Sequence, residues 1–539
     1  MKNNRIACAF VIAGALVWLL AASLSTMQEA AVADAGAVVQ GIVVDADGPV
    51  AGAIVRQQTT YTSTTSGVDG TFTLAGVSEG VSVTITAWDE GYYPGGVEVV
   101  APQTGVTITL IPHPTGDNPD HTWYTSMPDP EQAIGCGHCM VAFPQWVTNA
   151  HGTSGTNPRF FSLYNGTDVT GTTTVTPGYK LDFPGTAGNC AACHAPGAAA
   201  NAPFTTDMNA LAGVEQEGVF CDYCHKVSGV YLSPVTNLPY SNMPGVQSIQ
   251  LNRPPSTTHM FYGPFDDVTR RVSYLDLEKK SQFCAPCHQF SFWGMPVYGS
   301  YAEWLASSYP AQGVECQTCH MAPTGVDYFV YPENGGLIRP PELIASHLQP
   351  GASDVELLQN TVSMTLSAQQ VVDRLQVTVV ITNMGAGHHV PTDFPGRHMI
   401  LVVEATGGQG QALVLLDGST VPGWGGAQAG LPGKAFAKLL RDAQTGEWPV
   451  VSYWKQTFLV SDNRIPALGS DASTYEFALP SAGEAMTVTA ELRFRRVFQG
   501  VTDARGWDKP DIVMEETWAV LPTVPWTETF LPLVLRDTP

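Results

Sequence analysis

The spacing of the cysteines constrains this chain most. Of its eleven cysteines Cys8 stands alone near the start, and the other ten all fall in C-x-x-C pairs: Cys136/Cys139, Cys190/Cys193, Cys221/Cys224, Cys284/Cys287 and Cys316/Cys319. A disulfide framework would scatter its cysteines, because bridges stabilise most when they close long loops. Clustered pairs hold something instead. Four pairs are followed at once by histidine, in CAACH, CDYCH, CAPCH and CQTCH, ending at His194, His225, His288 and His320. Two thiols three positions apart can add across the two vinyl groups of one haem while the next imidazole reaches the iron, and C-x-x-C-H is the c-type attachment signature. Zinc needs four ligands closing one tetrahedron, which gives no reason for a histidine after every second cysteine. A thioredoxin-like dithiol wants one pair in a βαβ setting, and none is readable here. At least four molecules of haem c are expected.

The fifth pair departs from the pattern: Cys136-Gly137-His138-Cys139 is followed by Met140. Three readings stand for it: a fifth haem with Met140 or a distant histidine such as His121 at the iron, a local disulfide, or an open, reactive haem. His138, between the two cysteines, is badly placed to ligate the same haem. Of 13 histidines, four are proximal, leaving His113, His121, His138, His151, His259, His347, His388, His389 and His398. Four six-coordinate irons need four of them. Bis-His ligation lacks methionine's upward pull on potential and favours a low-potential electron carrier.

At 539 residues the chain exceeds one ordinary domain, and three are expected. Hydrophobic residues at 44% can form real cores, while 53 Gly, 40 Pro and only 14% charged residues favour short strands and loops. The net charge of −23 argues against nucleic acid, whose phosphates demand clustered Lys and Arg. It suits solubility and a basic partner. Lys2 and Arg5 precede an apolar run from Ile6 to Leu24, and small-residue sites follow at Ala31–Ala33 and Ala33–Ala35. Residues 1–35 therefore read as a secretory signal, with retention as a membrane anchor the alternative. The expected location is extracytoplasmic: secreted, periplasmic or at the cell surface.

Residues 38–112 alternate as strands, at Val38–Val44 and again at Val83, Ile85 and Ala87, with turns at Asp47-Gly48-Pro49, Asp69-Gly70 and Asp89-Glu90-Gly91. The strings GIVVDADGPVAGAIV and TTSGVDGTFTLAGV, with a later GYY, resemble the carboxypeptidase regulatory-like, transthyretin-type β-sandwich. That family implies a spacer or adhesive module. Residues 113–350 hold every C-x-x-C pair and little strand pattern, with short helical stretches such as Val268–Lys280. So long a segment without an obvious core is unusual; haem macrocycles can serve as the core that the chain wraps. Residues 355–537 return to β alternation, with Leu375, Val377, Val379 and Ile381 in one run and Val488, Ala490, Leu492 and Phe494 in another. They suggest a larger, Ig-like β-sandwich, with Phe530–Leu535 as its last strand.

The run CGHCMVAFPQWVTNAH, Cys136 to His151, followed by Asn157-Pro158-Arg159-Phe160, resembles the opening block of multihaem cytochromes related to the tetrahaem electron acceptor of hydroxylamine oxidoreductase. There a C-x-x-C-H precedes an aromatic and W-x-x-S-x-H, whose last histidine is the distal ligand of another haem; the resemblance implies that role for His151. Asn149 replaces the Ser, and Met140 the proximal His. Tyr301–Trp304 running into Gly313–Met321 resembles the closing haem block. His259 beside Phe261–Phe265 resembles another stretch of the family and is a distal candidate. GAGHHVPT, Gly385 to Thr392, resembles the G-H-x-x-P-T opening of an attached β-domain, with His388 in the family's His position and Asp393 where Gly is usual. His347 completes the set of distal candidates. The Trp146 and Trp304 blocks also echo each other, with Gln145 in register with Glu303 and His151 with Tyr309.

The expected function is electron transfer through closely packed haems, without a transformed substrate. Two alternatives remain. One is a multihaem reductase of a nitrogen or sulfur oxyanion, with an open iron at the irregular site and donors such as Arg159 or Tyr164. The other is a haem-conducting filament or surface protein. Expected partners are redox proteins or further copies of the chain, with cell-surface or membrane association a further possibility.

Overall fold

The computed structural model describes residues 36–127, 136–255, 258–481, 484–508 and 510–522. The expected signal segment and the expected strand at Phe530–Leu535 lie outside these residues. The chain gathers into two compact units: Met1–Gly166 with Tyr179–Ser291 and Ser308–Gly351, and Thr167–Gly178 with Phe292–Ser307 and Ala352–Pro539. The protein is thus multidomain and β-rich, with short helices.

The first unit opens with two small sheets. One orders the strands Thr71–Val77, Ala37–Val44 and Gln103–Thr109; the other orders Ser63–Thr65, Ile54–Gln57, Ser82–Trp88 and Gly95–Val100. Period-two alternation turns Val39, Val43, Phe72, Leu74, Ile85, Val106 and Ile108 into one shared core, all of them under a tenth exposed. The expected Asp69-Gly70 turn is present, and Gly70 takes φ +74, where an added Cβ would meet the Val43 carbonyl at 2.5 Å.

From residue 113 the same unit changes character. Its helices are single turns or little more, the longest being Pro158–Asn165 at 8 residues. Asn157 caps it by accepting from the Arg159 and Phe160 amides, Pro158 fits the first turn, and Gly166 ends it in the left-handed region. The expected helix over Val268–Lys280 is not formed. Val272–Tyr274 is instead a strand paired in parallel with Phe261–Gly263, followed by a 3-10 turn at Asp276–Lys279. The ladder and the edge packing of Tyr274 on Trp88, with ring centres 4.9 Å apart, outweigh local helix propensity.

The second unit is a pair of larger sheets. One orders Val362–Val371, Arg374–Asn383, Ser470–Ala478 and Leu415–Asp417; the other orders Thr457–Asp462, Gly433–Asp442, His398–Gly407, Met486–Arg495 and Ile512–Leu521. Both alternating runs read from the sequence lie here, and Leu375, Val377, Val379, Ile381, Val488, Ala490, Leu492 and Phe494 all point into one core with Tyr475 and Phe477. Among the described residues no helix is long and apolar enough to cross a membrane.

Candidate functional site

All ten paired cysteines lie in the first unit, each of them partly buried, and no disulfide joins any of them. Each C-x-x-C-H closes one helical turn. His194, His225 and His288 donate their amide to the carbonyl of Cys190, Cys221 and Cys284 at 3.0, 3.1 and 3.1 Å. The fourth motif is the helix Cys316–His320, which carries Cys316, Cys319 and His320 together, with Cys319 not bridged to Cys316. Winding of this kind brings the first cysteine and the histidine, four positions apart, onto one face. Cys319, three positions from Cys316, lies on that face too, as attachment of one haem through both sulfurs requires. The irregular pair winds more tightly: the Cys139 amide donates to the Cys136 carbonyl at 3.0 Å in a 3-10 turn, and Met140 beyond it is 43% exposed. The local disulfide considered for Cys136 and Cys139 is not formed. Among the described residues no three His, Cys, Asp or Glu side chains converge on one point as ion ligands, so the zinc alternative lacks its tetrahedron.

The pairs are close to one another. The thiols of Cys136 and Cys221, of Cys193 and Cys287, and of Cys284 and Cys316 lie near enough to shift each other's ionisation. Burial pushes the Cys190 thiol up to about 12 and Cys139 to about 11. Cys221 and Cys316 fall to about 7, because the neighbouring thiols of Cys136 and Cys284 stabilise their thiolates.

The histidines supply the test of whether haem iron fits. The rings of His151 and His288 have centres 6.3 Å apart, and those of His225 and His347 6.5 Å. A metal–imidazole bond is about 2 Å and the ring centre lies about 1.1 Å behind its nitrogen, so two imidazoles on opposite sides of one metal have centres about 6.3 Å apart. Each pair joins one proximal histidine to one distal candidate. The rings are also oriented from behind, as metal-bound imidazoles are. Nδ1 of His151 faces Gln349 Oε1 at 2.6 Å, that of His225 the Tyr262 carbonyl at 2.7 Å, and that of His320 the Pro350 carbonyl at 2.8 Å. A carbonyl only accepts, so Nδ1 carries the hydrogen and Nε2 keeps its lone pair for a metal. Nδ1 of His347 is buried without a hydrogen-bond partner. Burial lowers His151, His194 and His347 to about 4 each, with neighbouring histidines adding to it at all three. The imidazoles are therefore neutral, as metal ligands must be. Burial also pulls on His225, but the Glu278 carboxylate at 3.2 Å and the Tyr262 carbonyl outweigh it and leave that ring raised.

His259 belongs to the same unit, its ring tilted against Tyr124 with centres 5.4 Å apart. His388 lies in the second unit, its Nδ1 on the His389 carbonyl at 2.8 Å. His121 does not sit as the distant ligand considered for the irregular pair: its Nε2 is 3.1 Å from the buried Asp222 carboxylate. Tyr164 is committed as well, its hydroxyl lying 2.8 Å from the Ala187 carbonyl and 3.0 Å from the Asp207 carboxylate, between which its one hydrogen is shared. Phe160 packs on the His194 ring with centres 4.2 Å apart, and Trp146 donates to the Val219 carbonyl at 2.8 Å inside an apolar cluster.

Several positioning residues escape sequence reasoning. Asn149, where the resembling block has Ser, accepts from the His151 amide at 2.9 Å and donates to the His347 carbonyl at 2.7 Å and to Gln349 at 2.9 Å. Gln145 accepts from the His347 amide at 2.7 Å. Its echo Glu303 accepts from the His389 amide at 3.1 Å and the Thr392 hydroxyl at 2.7 Å. The register of the two Trp blocks was the visible signal; the loops they hold were not.

No family model and no curated protein matches the chain. Among solved structures, a penta-haem cytochrome c552 from Thermochromatium tepidum matches with TM-score 0.52 and 19% identity, over 72% of this chain and 97% of that one. A structural genomics target, SoR45, matches over 33% of this chain and 93% of its own at 13% identity, and a PapD-like domain of human CEP192 over 31% and 86% at 7%. Their TM-scores of 0.15 and 0.14 carry no argument. The likeness that counts is one of fold: the chain is built like a penta-haem cytochrome c.

Proposed function

We propose that the chain is an extracytoplasmic multihaem c-type cytochrome that passes electrons between closely packed haems. Haem c is attached at Cys190/Cys193, Cys221/Cys224, Cys284/Cys287 and Cys316/Cys319 and, as a fifth, at Cys136/Cys139. The observation that supports this reading is the spacing of the two ring pairs: His288 and His151 would hold one iron, and His225 and His347 another. His194 and His320 are the remaining proximal ligands, with His259 and His388 as further distal candidates. Bound haem iron supplies the redox step, gaining or losing one electron. The protein's share is to keep His151, His194 and His347 neutral by burial and to orient the rings of His151, His225 and His320 through their Nδ1 contacts. The nearness of thiols from different motifs would set neighbouring attachment points side by side, as rapid transfer requires. In this reading the N-terminal sheets are a carboxypeptidase regulatory-like sandwich, the second unit carries an Ig-like one, and redox proteins or further copies of the chain are the partners.

The reductase reading keeps one supporting observation, the open setting of Met140 after the only motif without a terminal histidine. Its donor Tyr164 is already engaged. Intact mass of the secreted protein, with its reduced haem spectrum, counts the haems: five are expected, four would remove Cys136/Cys139, and none would end the cytochrome reading. A high-spin signal that shifts on adding nitrite or sulfite would favour the reductase.

A further inference from the structure

The N-terminal sheets grip one stretch of the haem-bearing region, His259 to Tyr274, at both ends. At the near end Tyr93 donates its hydroxyl to the His259 carbonyl at 2.5 Å. Its ring meets the edge of His113 at 5.7 Å, and His113 meets Tyr262 at 5.9 Å. At the far end Trp88 donates to the Ser273 hydroxyl at 3.1 Å, which donates onward to the Tyr92 carbonyl at 2.9 Å. Between them Arg56 pairs with Asp266 at 2.7 Å, and the Thr59 amide donates to Asp267 at 2.8 Å. Asp267 is 1% exposed and also paired with Arg339. The parallel pairing of Phe261–Gly263 with Val272–Tyr274 ties the two ends together.

The gripped stretch is also what holds a proximal histidine. The Tyr262 amide donates to the His225 carbonyl at 2.9 Å, its own carbonyl accepts from His225 Nδ1 at 2.7 Å, and Phe261 stacks on the His225 ring with centres 3.9 Å apart. A spacer module joined through a linker would share few bonds with its neighbour. This one shares a buried carboxylate and four further side-chain bonds with the strip carrying His259 and bracketing His225.

We propose that Tyr93 is a positioning residue for haem ligation, acting through the His259–Tyr262 segment on the imidazoles of His225 and His259, and that the N-terminal β-domain is thereby a working part of the electron-transfer region. This rests on the reading of those two histidines as axial ligands. Orientation of an imidazole and the hydrogen bond behind it tune the metal it binds, so the hydroxyl of Tyr93 acts on a potential without touching the cofactor.

The test uses the full-length holoprotein with Tyr93→Phe, which keeps the ring and removes one hydroxyl. Tyr61→Phe, which removes only the exposed contact to Glu342 at 3.3 Å, is the control. Intact mass comes first: unchanged haem content in both variants confirms that the cytochrome reading holds while this one is examined, and absent haem sinks that reading instead. Tyr93→Phe is then expected to shift the components of the reductive titration that belong to the irons of His225 and His259, with their low-spin paramagnetic resonance signals, leaving the others superimposed on the parent; Tyr61→Phe shifts none. Titrations and spectra that superimpose for Tyr93→Phe, or an equal shift from Tyr61→Phe, would overturn the proposal.

Discussion

Asp222, inside the CDYCH motif, shows how much one residue can carry. It is 2% exposed, faces His121 at 3.1 Å, accepts from the Tyr124 amide at 3.0 Å and pairs with Lys226, itself 2% exposed. Burial opposes its ionisation, but His121 and Lys226 outweigh that and leave the carboxyl lowered. Removing one partner of a buried pair strands the other charge at a cost of about 3–5 kcal/mol. Asp222→Asn is therefore expected to lose about 3 kcal/mol in urea unfolding of the holoprotein; a loss under about 1 kcal/mol would show the ammonium to be hydrated. His398 makes the acid-side counterpart. It is fully buried against Phe498 and Trp424, its Nε2 unpaired, and burial lowers it to about 4. The unfolded ring titrates near 6.5. Between those values the unfolded chain binds a proton that the folded chain refuses, so stability is complete above the window and falls as pH drops through it. The loss reaches at most about 3 kcal/mol. His398→Leu is expected to flatten the fall of Tm between neutral pH and the lower edge of the window; curves that stay parallel would place the acid sensitivity elsewhere.

Two short helices act as brackets within their own units. Helix Ala142–Trp146 presents Gln145 to the His347 amide, and helix Ser300–Leu305 presents Glu303 to the His389 amide. Gln145→Leu leaves that amide unsatisfied, at about 1–3 kcal/mol, and frees the loop that aims His347. The expected result is a lower Tm together with a fraction of high-spin haem in the oxidised spectrum; a lower Tm with a wholly low-spin spectrum would make Gln145 a stabilising contact alone. Elements differ in how far they can be read from the chain. Alternation at Leu375–Ile381 announces a strand because a sheet with one buried face imposes period two on its own residues. Val268–Lys280 misleads because what decides it is pairing with Phe261–Gly263 and packing on Trp88 from a distant segment. The four histidines proposed as proximal ligands are legible because attachment chemistry would fix them beside their cysteines. Distal ligands come from remote loops, and only the fold shows that His347 meets His225.

At the scale of the molecule the attachment points form a branched series. Cys136 lies beside Cys221, Cys193 beside Cys287 and Cys284 beside Cys316, each near enough to shift the other's ionisation; Cys224 feels the charge of Cys287, and Cys284 that of Cys224. The Cys284/Cys287 motif therefore adjoins three others, while Cys136/Cys139 adjoins one. None of this adjacency is legible from spacing along the chain, since it depends on which turns pack together. If haems are held as proposed and electrons follow this adjacency, the iron of His288 and His151 would be the junction and the one at Cys136/Cys139 a terminus. Exchanging a histidine ligand for methionine raises the potential of the iron it serves, which at a junction makes a trap. His151→Met is expected to move one midpoint potential upward and to slow equilibration among the remaining haems in stopped-flow reduction with substoichiometric dithionite. Cys136→Ser/Cys139→Ser is expected to remove one haem and leave that equilibration unchanged. Were His151→Met to raise a potential without slowing the others, electrons would be passing around the Cys284/Cys287 site, and the branched order would not be their route.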